Sequence, residues 1–182
     1  SLWSADLFRC ESILLKSHWV MVVMDQYTRR IIGFGIQVGV VDGPNLCRMF
    51  NTAIARKGTP THLSTDNDPL FTFHRWHANL RILVIDEIKS IPGVPTSHPF
   101  IERLIGSVRR EHLDHVLFWN AYDLEKKLDA FKDYYNGYRV HAGLDGDTPF
   151  SISGNDVLGK ANIDNYQWKS HCRGLYQTPM AA

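Results

Sequence analysis

The sequence has few cysteines, no long apolar run and almost no net charge, and each shortage excludes a class of protein. The three cysteines lie far apart and are odd in number, so they indicate neither a disulfide framework nor a paired-cysteine zinc site. The apolar run at Trp19–Met24 ends at Asp25, well short of the ~20 residues that a membrane-spanning helix needs. We therefore expect a soluble, cytoplasmic protein with no membrane partner.

The charge balance speaks against one further class. Lysine and arginine number 20 and aspartate and glutamate number 19, which gives a net charge of +1. A strongly basic nucleic-acid-binding module is therefore not expected. The 182 residues, of which 44% are hydrophobic, are enough for one globular domain and a small appendage. We place the domain at residues 1–150 and an irregular tail or small appendage at residues 151–182.

The apolar pattern predicts strands first and helices later. Short apolar runs between polar turns predict five strands, at residues 1–8, 17–24, 31–38, 61–65 and 81–86. Gly33 and Gly35 indicate that another element packs closely on the third strand. Amphipathic spacing predicts four helices, over residues 44–57, 72–80, 99–114 and 120–135. Because helices connect the later strands, these strands should run parallel. Residues 87–97 are predicted to form a loop.

Three carboxylates occupy positions where a charged side chain destabilises the fold and therefore indicates a functional role. Asp6 lies within the first strand, Asp66 follows the fourth, and Glu102 lies in the first turn of a helix. If the first and fourth strands are neighbours, Asp6 and Asp66 lie side by side and the helix can bring Glu102 to them. Three such groups within ~5 Å repel one another unless a cation compensates them. Mg²⁺ prefers oxygen ligands of this kind.

The residues between Asp66 and Glu102 number 35, and six strings around the three carboxylates occur in a diagnostic order. The strings are Ser4–Leu7, Val22–Gly33, Ser64–Phe71, Ser97–Leu104, Arg109–Leu113, and Tyr134–His141 with Leu144–Pro149. Together they resemble the catalytic core of retroviral integrases and bacterial insertion-sequence transposases, the DDE family. The resemblance extends from about residue 3 to residue 149.

This resemblance implies an α/β, ribonuclease-H-like fold, with a five-stranded mixed sheet of three antiparallel and then two parallel strands, flanked by helices. It implies that Asp6, Asp66 and Glu102 are catalytic and bind one or two Mg²⁺ (or Mn²⁺) ions. The implied activity is that of a polynucleotidyl transferase that cleaves and transfers DNA strands. Its partners would be double-stranded DNA, as element ends and target, and further copies of itself in a homodimer or higher assembly. It would act at the bacterial nucleoid.

Four further residues are candidates for DNA contacts. Arg103, Arg109, Arg110 and His98 lie close to Glu102 in sequence and can reach phosphates. The alternative for Arg109 and Arg110 is a solvated helix face that neighbouring acidic residues balance. Asp68 stands where many family members have glycine; it either caps the following turn or adds a negative charge beside the metal site.

Two other functions stay open. One is a catalytically silent DNA-binding or assembly module of a mobile element, and the other is a ribonuclease-H-like nuclease acting on RNA–DNA hybrids. The 35-residue interval and the string from Tyr134 to His141 favour the transposase. Because a DNA-end-binding region usually precedes such a core, we expect the chain to be part of a longer recombinase.

Overall fold

A computed structural model describes residues 1–89, 99–154 and 166–181 of the chain. By internal contacts the chain forms two compact units, Ser1–Glu125 and Lys126–Ala182. The boundary that we predict near residue 150 stays a prediction. No helix among the described residues is long and apolar enough to cross a bilayer.

The first unit contains one five-stranded sheet. Its strands are β1 (Leu2–Glu11), β2 (Ser17–Asp25), β3 (Ile31–Val38), β4 (His62–Thr65) and β5 (Asp86–Lys89). Their spatial order is β3-β2-β1-β4-β5. Antiparallel pairing joins β1 to β2 and β2 to β3, whereas β4 pairs in parallel with both β1 and β5. The predicted mixed sheet of three antiparallel and two parallel strands is therefore confirmed.

The described residues form five α-helices, of which the first three lie in the first unit: α1 (Gly43–Ile54), α2 (His74–Ile82), α3 (Pro99–Ser107), α4 (Ala121–Gly137) and α5 (Pro149–Ile152). Two of them begin at a residue whose side chain caps the helix N-terminus. Asp42 accepts a hydrogen bond from the backbone N–H of Asn45, and Asn120 accepts one from that of Asp123.

Helix α1 lies directly on β3 because two glycines make room for it. A Cβ at Gly33 would collide with the carbonyl oxygen of Ala53, and one at Gly35 with that of Met49. The predicted close approach is confirmed. The core beneath α1 is apolar and includes the fully buried rings of Phe50 and Trp76, which pack edge to face.

The fifth strand lies further along the chain than predicted. Residues 81–85 are not a strand, because α2 continues to Ile82 and β5 begins only at Asp86. Ile82 and Val84 are 81% and 85% exposed, whereas Ile85 is buried in the core. Residues 87–89, which we predict to be part of a loop, belong to β5, and residues 90–97 of that predicted loop lie outside the described residues.

The helix that begins at Pro99 does not stay α-helical to residue 114. It changes at Val108 into a π-helical turn, Val108–His112, and then into a 3₁₀ turn, Leu113–His115. A π turn holds one more residue than an α turn, so the residues after it occupy a different face of the helix.

The second unit contains a hairpin within the stretch for which we predict an irregular tail or a small appendage. Strands β6 (Tyr166–His171) and β7 (Tyr176–Ala181) pair in antiparallel fashion around a turn at Cys172–Gly174, whose three residues all have positive φ. Tyr134 of α4 stacks on Tyr176, with ring centroids 4.1 Å apart. The apolar pattern does not predict these two strands, because most of their residues are polar and Pro179 interrupts the second.

Candidate active site

The sheet register brings two of the predicted site residues to adjacent positions. Ala5 of β1 pairs with Thr65 of β4 in a parallel ladder. The next residue on each strand is a carboxylate, Asp6 within β1 and Asp66 immediately after β4. Both side chains are partly buried. The adjacency follows from backbone hydrogen bonding alone, since strands of one sheet lie about 4.8 Å apart.

Helix α3 brings the third carboxylate to the same place. The helix packs against β1, and Glu102 lies in its first turn with an exposed side chain. The pKa of Asp6 is raised to about 7. Burial is the largest cause, and the negative charges of Asp66, Glu102 and Asp68 also raise the pKa. The backbone N–H of Leu7 opposes this by donating to Asp6 Oδ1 at 2.7 Å. The acidic groups therefore interact electrostatically across three elements.

These residues fit a divalent cation by donor type. Within the part of the chain that the structure describes, no three acidic, histidine or cysteine side chains stand close enough to enclose a metal ion as they are. The donor set nevertheless consists of carboxylates, which Mg²⁺ and Mn²⁺ prefer. A partly buried carboxylate that other carboxylates repel is also the kind of group that a bound cation stabilises.

Asp68 caps the turn that follows Asp66. Its Oδ1 accepts a hydrogen bond from the backbone N–H of Leu70 at 2.8 Å, at the start of the 3₁₀ turn Pro69–Thr72. Its own backbone N–H donates to Asp66 Oδ1 at 3.1 Å. The predicted capping role is confirmed, and the charge of Asp68 also acts on Asp6.

The arginines after Glu102 have different surroundings. Arg103, Arg109 and Arg110 are exposed. The guanidinium of Arg110 folds back over Gly106, where an added Cβ would lie 2.9 Å from Nη1. Arg109 instead donates from Nη2 to the carbonyl oxygen of Arg9 at 3.1 Å, and its guanidinium lies 5.4 Å from the Phe8 ring centroid. His98 lies outside the described residues.

Sequence reasoning missed two groups near the site. Arg29, in the turn between β2 and β3, stacks its guanidinium 3.1 Å from the centroid of the Phe100 ring, two residues before Glu102. Arg29 has a positive φ of 62°, which a non-glycine residue does not reveal in sequence. The second group is the ion pair of Glu87 and Lys89, which was missed because these residues were assigned to a loop.

A family model described as "Integrase core domain" matches residues 85–149 of the chain. The chain is 27% identical over 160 residues to an uncharacterized 39.2 kDa protein of insertion element IS476 from Xanthomonas euvesicatoria, covering 88% of the chain and 46% of that protein. It is 26% identical over 148 residues to the transposase for transposon Tn552 of Staphylococcus aureus, covering 73% of the chain and 31% of that protein. The chain thus spans less than half the length of these two relatives.

Two solved structures share the fold of this chain. The HTLV-2 integrase catalytic core domain in complex with magnesium superposes with a TM-score of 0.63 at 17% identity, covering 83% of this chain and 94% of that one. A chain of the simian T-cell lymphotropic virus intasome reaches 0.69 at 18% identity, covering 100% of this chain and 66% of that one. The ribonuclease-H-like fold that we predict is confirmed.

Proposed function

We propose that this chain is the catalytic core of a transposase or integrase that cleaves and transfers DNA strands by metal-dependent, in-line phosphoryl transfer, with Asp6, Asp66 and Glu102 as metal ligands and catalytic residues. The observation that carries the proposal is the β1–β4 register, which puts Asp6 beside Asp66 while α3 packs on β1 with Glu102 in its first turn. The match to the integrase family supports the same reaction class.

The residues of the chain would prepare the carboxylates for this task. One or two bound Mg²⁺ or Mn²⁺ ions would activate the attacking water or DNA 3′-hydroxyl and stabilise the leaving oxygen. The N–H of Leu7 orients Asp6, and the N–H of Asp68 orients Asp66. Asp6 has to lose its proton to serve as a ligand, and its raised pKa makes metal binding release that proton near neutral pH.

We also propose the partners of the core. Double-stranded DNA, as element ends and target, would be its substrate, and Arg103 and Arg110 are the exposed cations best placed to contact phosphates near Glu102. Arg109 and His98 stay predictions as DNA contacts. The HTLV-2 core is known in dimeric and trimeric forms, and we propose a homodimer or higher assembly for this chain. Its place of action would be the bacterial nucleoid.

The test is strand cleavage by the purified chain. We expect Mn²⁺-dependent nicking of supercoiled DNA, or disintegration of a branched substrate, that Asp66→Asn abolishes while the far-ultraviolet circular dichroism stays unchanged. Equal activity of the wild type and Asp66→Asn would overturn the assignment. Preference for an RNA–DNA hybrid would favour the ribonuclease-H-like nuclease, and DNA binding without any cleavage would favour the silent module.

A further inference from the structure

A hydrogen-bonded network lies beside the chain segment that carries Asp66. At its centre is Glu87 of β5, whose side chain is only 12% exposed. Its Oε1 accepts hydrogen bonds from Thr65 Oγ1 at 2.6 Å, from the indole N–H of Trp76 at 2.9 Å, and from Lys89 Nζ at 2.8 Å. Its Oε2 lies 3.2 Å from His77 Nδ1, on a histidine that is 44% exposed.

Lys89 connects this network to both ends of one loop. Its ammonium donates to Thr65 Oγ1 at 3.1 Å, directly before Asp66, and to the carbonyl oxygen of Phe71 at 3.1 Å, directly after Leu70. One cation therefore holds the two residues that flank the segment 66–70. Within that segment the hydrogen bonds that Asp68 makes to Asp66 and Leu70 complete the fixation.

The charge state of the pair suits this arrangement. Burial alone would raise the pKa of Glu87, but the hydrogen bonds from Lys89, Thr65 and Trp76, together with the charge of Lys89, outweigh it and lower that pKa. Glu87 therefore stays ionised at neutral pH and keeps its attraction for Lys89. Because desolvation of Glu87 offsets part of what the ion pair contributes to stability, we expect the pair to act mainly by fixing a conformation.

We propose that Glu87 and Lys89 are positioning residues that hold the segment 66–70, and with it the carboxylate of Asp66, beside Asp6. In this role Glu87 and Lys89 need to touch neither DNA nor a reacting atom, because they act through their contacts with Thr65 and Phe71. The consequence for catalysis rests on the function proposed above, whereas the consequence for the segment does not.

The first test therefore needs no activity. In Lys89→Met we expect the backbone amides of Asp68, Leu70 and Phe71 to exchange hydrogen about tenfold faster than in the wild type. Lys89→Arg, which keeps the charge, should restore part of the protection. His77→Gln is the matched control, because it removes the contact to the outer oxygen of Glu87 without touching the segment, and its exchange rates should equal those of the wild type.

The second test reads the metal site. In Lys89→Met the Mn²⁺ concentration that gives half-maximal nicking should rise about tenfold or more, as is usual when a group behind a metal ligand is lost. The rate at saturating Mn²⁺ should fall less, and His77→Gln should shift neither value. If Lys89→Met does not fold, Thr65→Val removes the shared hydroxyl and replaces it in both tests.

The outcomes separate the two proposals. Unchanged amide exchange in both Lys89→Met and Thr65→Val would overturn the positioning role, whatever the activity. An unchanged Mn²⁺ midpoint with faster exchange would overturn its link to the metal site. A wild-type chain that never nicks DNA would overturn the proposed function, while the exchange data would still decide whether Lys89 holds the segment.

Discussion

The sheet side of the candidate site and its helix side are built in different ways. Asp6 lies in β1 and Asp66 directly follows β4, so the backbone hydrogen bonds of the β1–β4 ladder limit the spacing of the two residues. Glu102 lies on an exposed face of α3, and side-chain packing, including the stack of Arg29 on Phe100, connects its helix to the sheet. The two sheet carboxylates therefore have backbone pairing beside them, whereas the position of the helix carboxylate depends on side-chain contacts alone.

Changing the side-chain length of one carboxylate on each side by one methylene tests this difference most strongly. Asp66→Glu moves the carboxylate by about one bond length and disturbs its bond to the Asp68 amide, so we expect strand cleavage to fall about 100-fold or more. Glu102→Asp, on an exposed helix, should retain more activity than Asp66→Glu. Rates at saturating Mn²⁺ measure both, and the opposite ranking would contradict the comparison.

Removing the stack on Phe100 should affect the helix side alone. Arg29→Ala is expected to lower cleavage about tenfold, and Arg29→Lys should not rescue it because an ammonium cannot stack as a planar group does. Tyr27→Ala, in the same turn but 82% exposed, is the control and should leave the rate unchanged. Wild-type activity in Arg29→Ala would show that α3 needs no such contact.

The pKa of Asp6 gives a prediction for the sheet side. Because folding raises this pKa from 3.8 to about 7, the folded state holds the proton more tightly than the unfolded state does. The contribution of Asp6 to stability is therefore full below pH 3.8 and is lost as the pH rises through 7. At about 1.4 kcal/mol per pKa unit, Asp6→Asn should raise the free energy of unfolding by a few kcal/mol at pH 8.

Urea unfolding of the metal-free protein at pH 4 and pH 8 measures this difference. At pH 4 the wild type and Asp6→Asn should be nearly equally stable. If Asp6→Asn is equally or less stable than the wild type at pH 8, the ionised carboxylate of Asp6 does not destabilise the folded state.

The smallest expected effect concerns DNA affinity. Arg110→Gln should weaken binding and lower the slope of log affinity against log salt by about one, as the loss of one phosphate contact does. Arg109→Gln should instead lower the melting temperature, because Arg109 contacts the carbonyl of Arg9. Fluorescence anisotropy over a salt series measures DNA affinity, and thermal unfolding measures the melting temperature. Identical behaviour of both variants would contradict the different roles of Arg110 and Arg109.

Features of the fold that depend on a regular residue pattern or on a glycine could be predicted from the sequence. Short apolar runs between polar turns located β2 and β3, and the expected pairing of β1 with β4 predicted that Asp6, within β1, and Asp66, directly after β4, lie side by side. Gly33 and Gly35 predicted the close packing of α1 for a steric reason that a sequence displays directly.

What the sequence did not predict depends on context. The apolar run at residues 81–84 is largely exposed, so hydrophobicity placed the fifth strand too early in the chain. Most residues of β6 and β7 are polar, so hydrophobicity did not indicate these two strands. The contacts of Arg29 and Lys89 join residues far apart in the chain, and the spacing of residues in helices and strands does not predict such contacts. Catalytic roles for Asp6, Asp66 and Glu102 remain predictions that the variants above will test.

The π-helical turn at Val108–His112 amounts to a single inserted residue in the helix that carries Glu102. Two consecutive arginines lie within this turn and make different contacts: Arg110 folds back over Gly106, and Arg109 donates to the carbonyl oxygen of Arg9 in β1. Deleting one residue from this turn would restore the α-helical phase and rotate the residues after it by about 100°. An insertion or deletion there would therefore exchange side chains between contacts within the fold and the exposed face of the helix without changing any residue type.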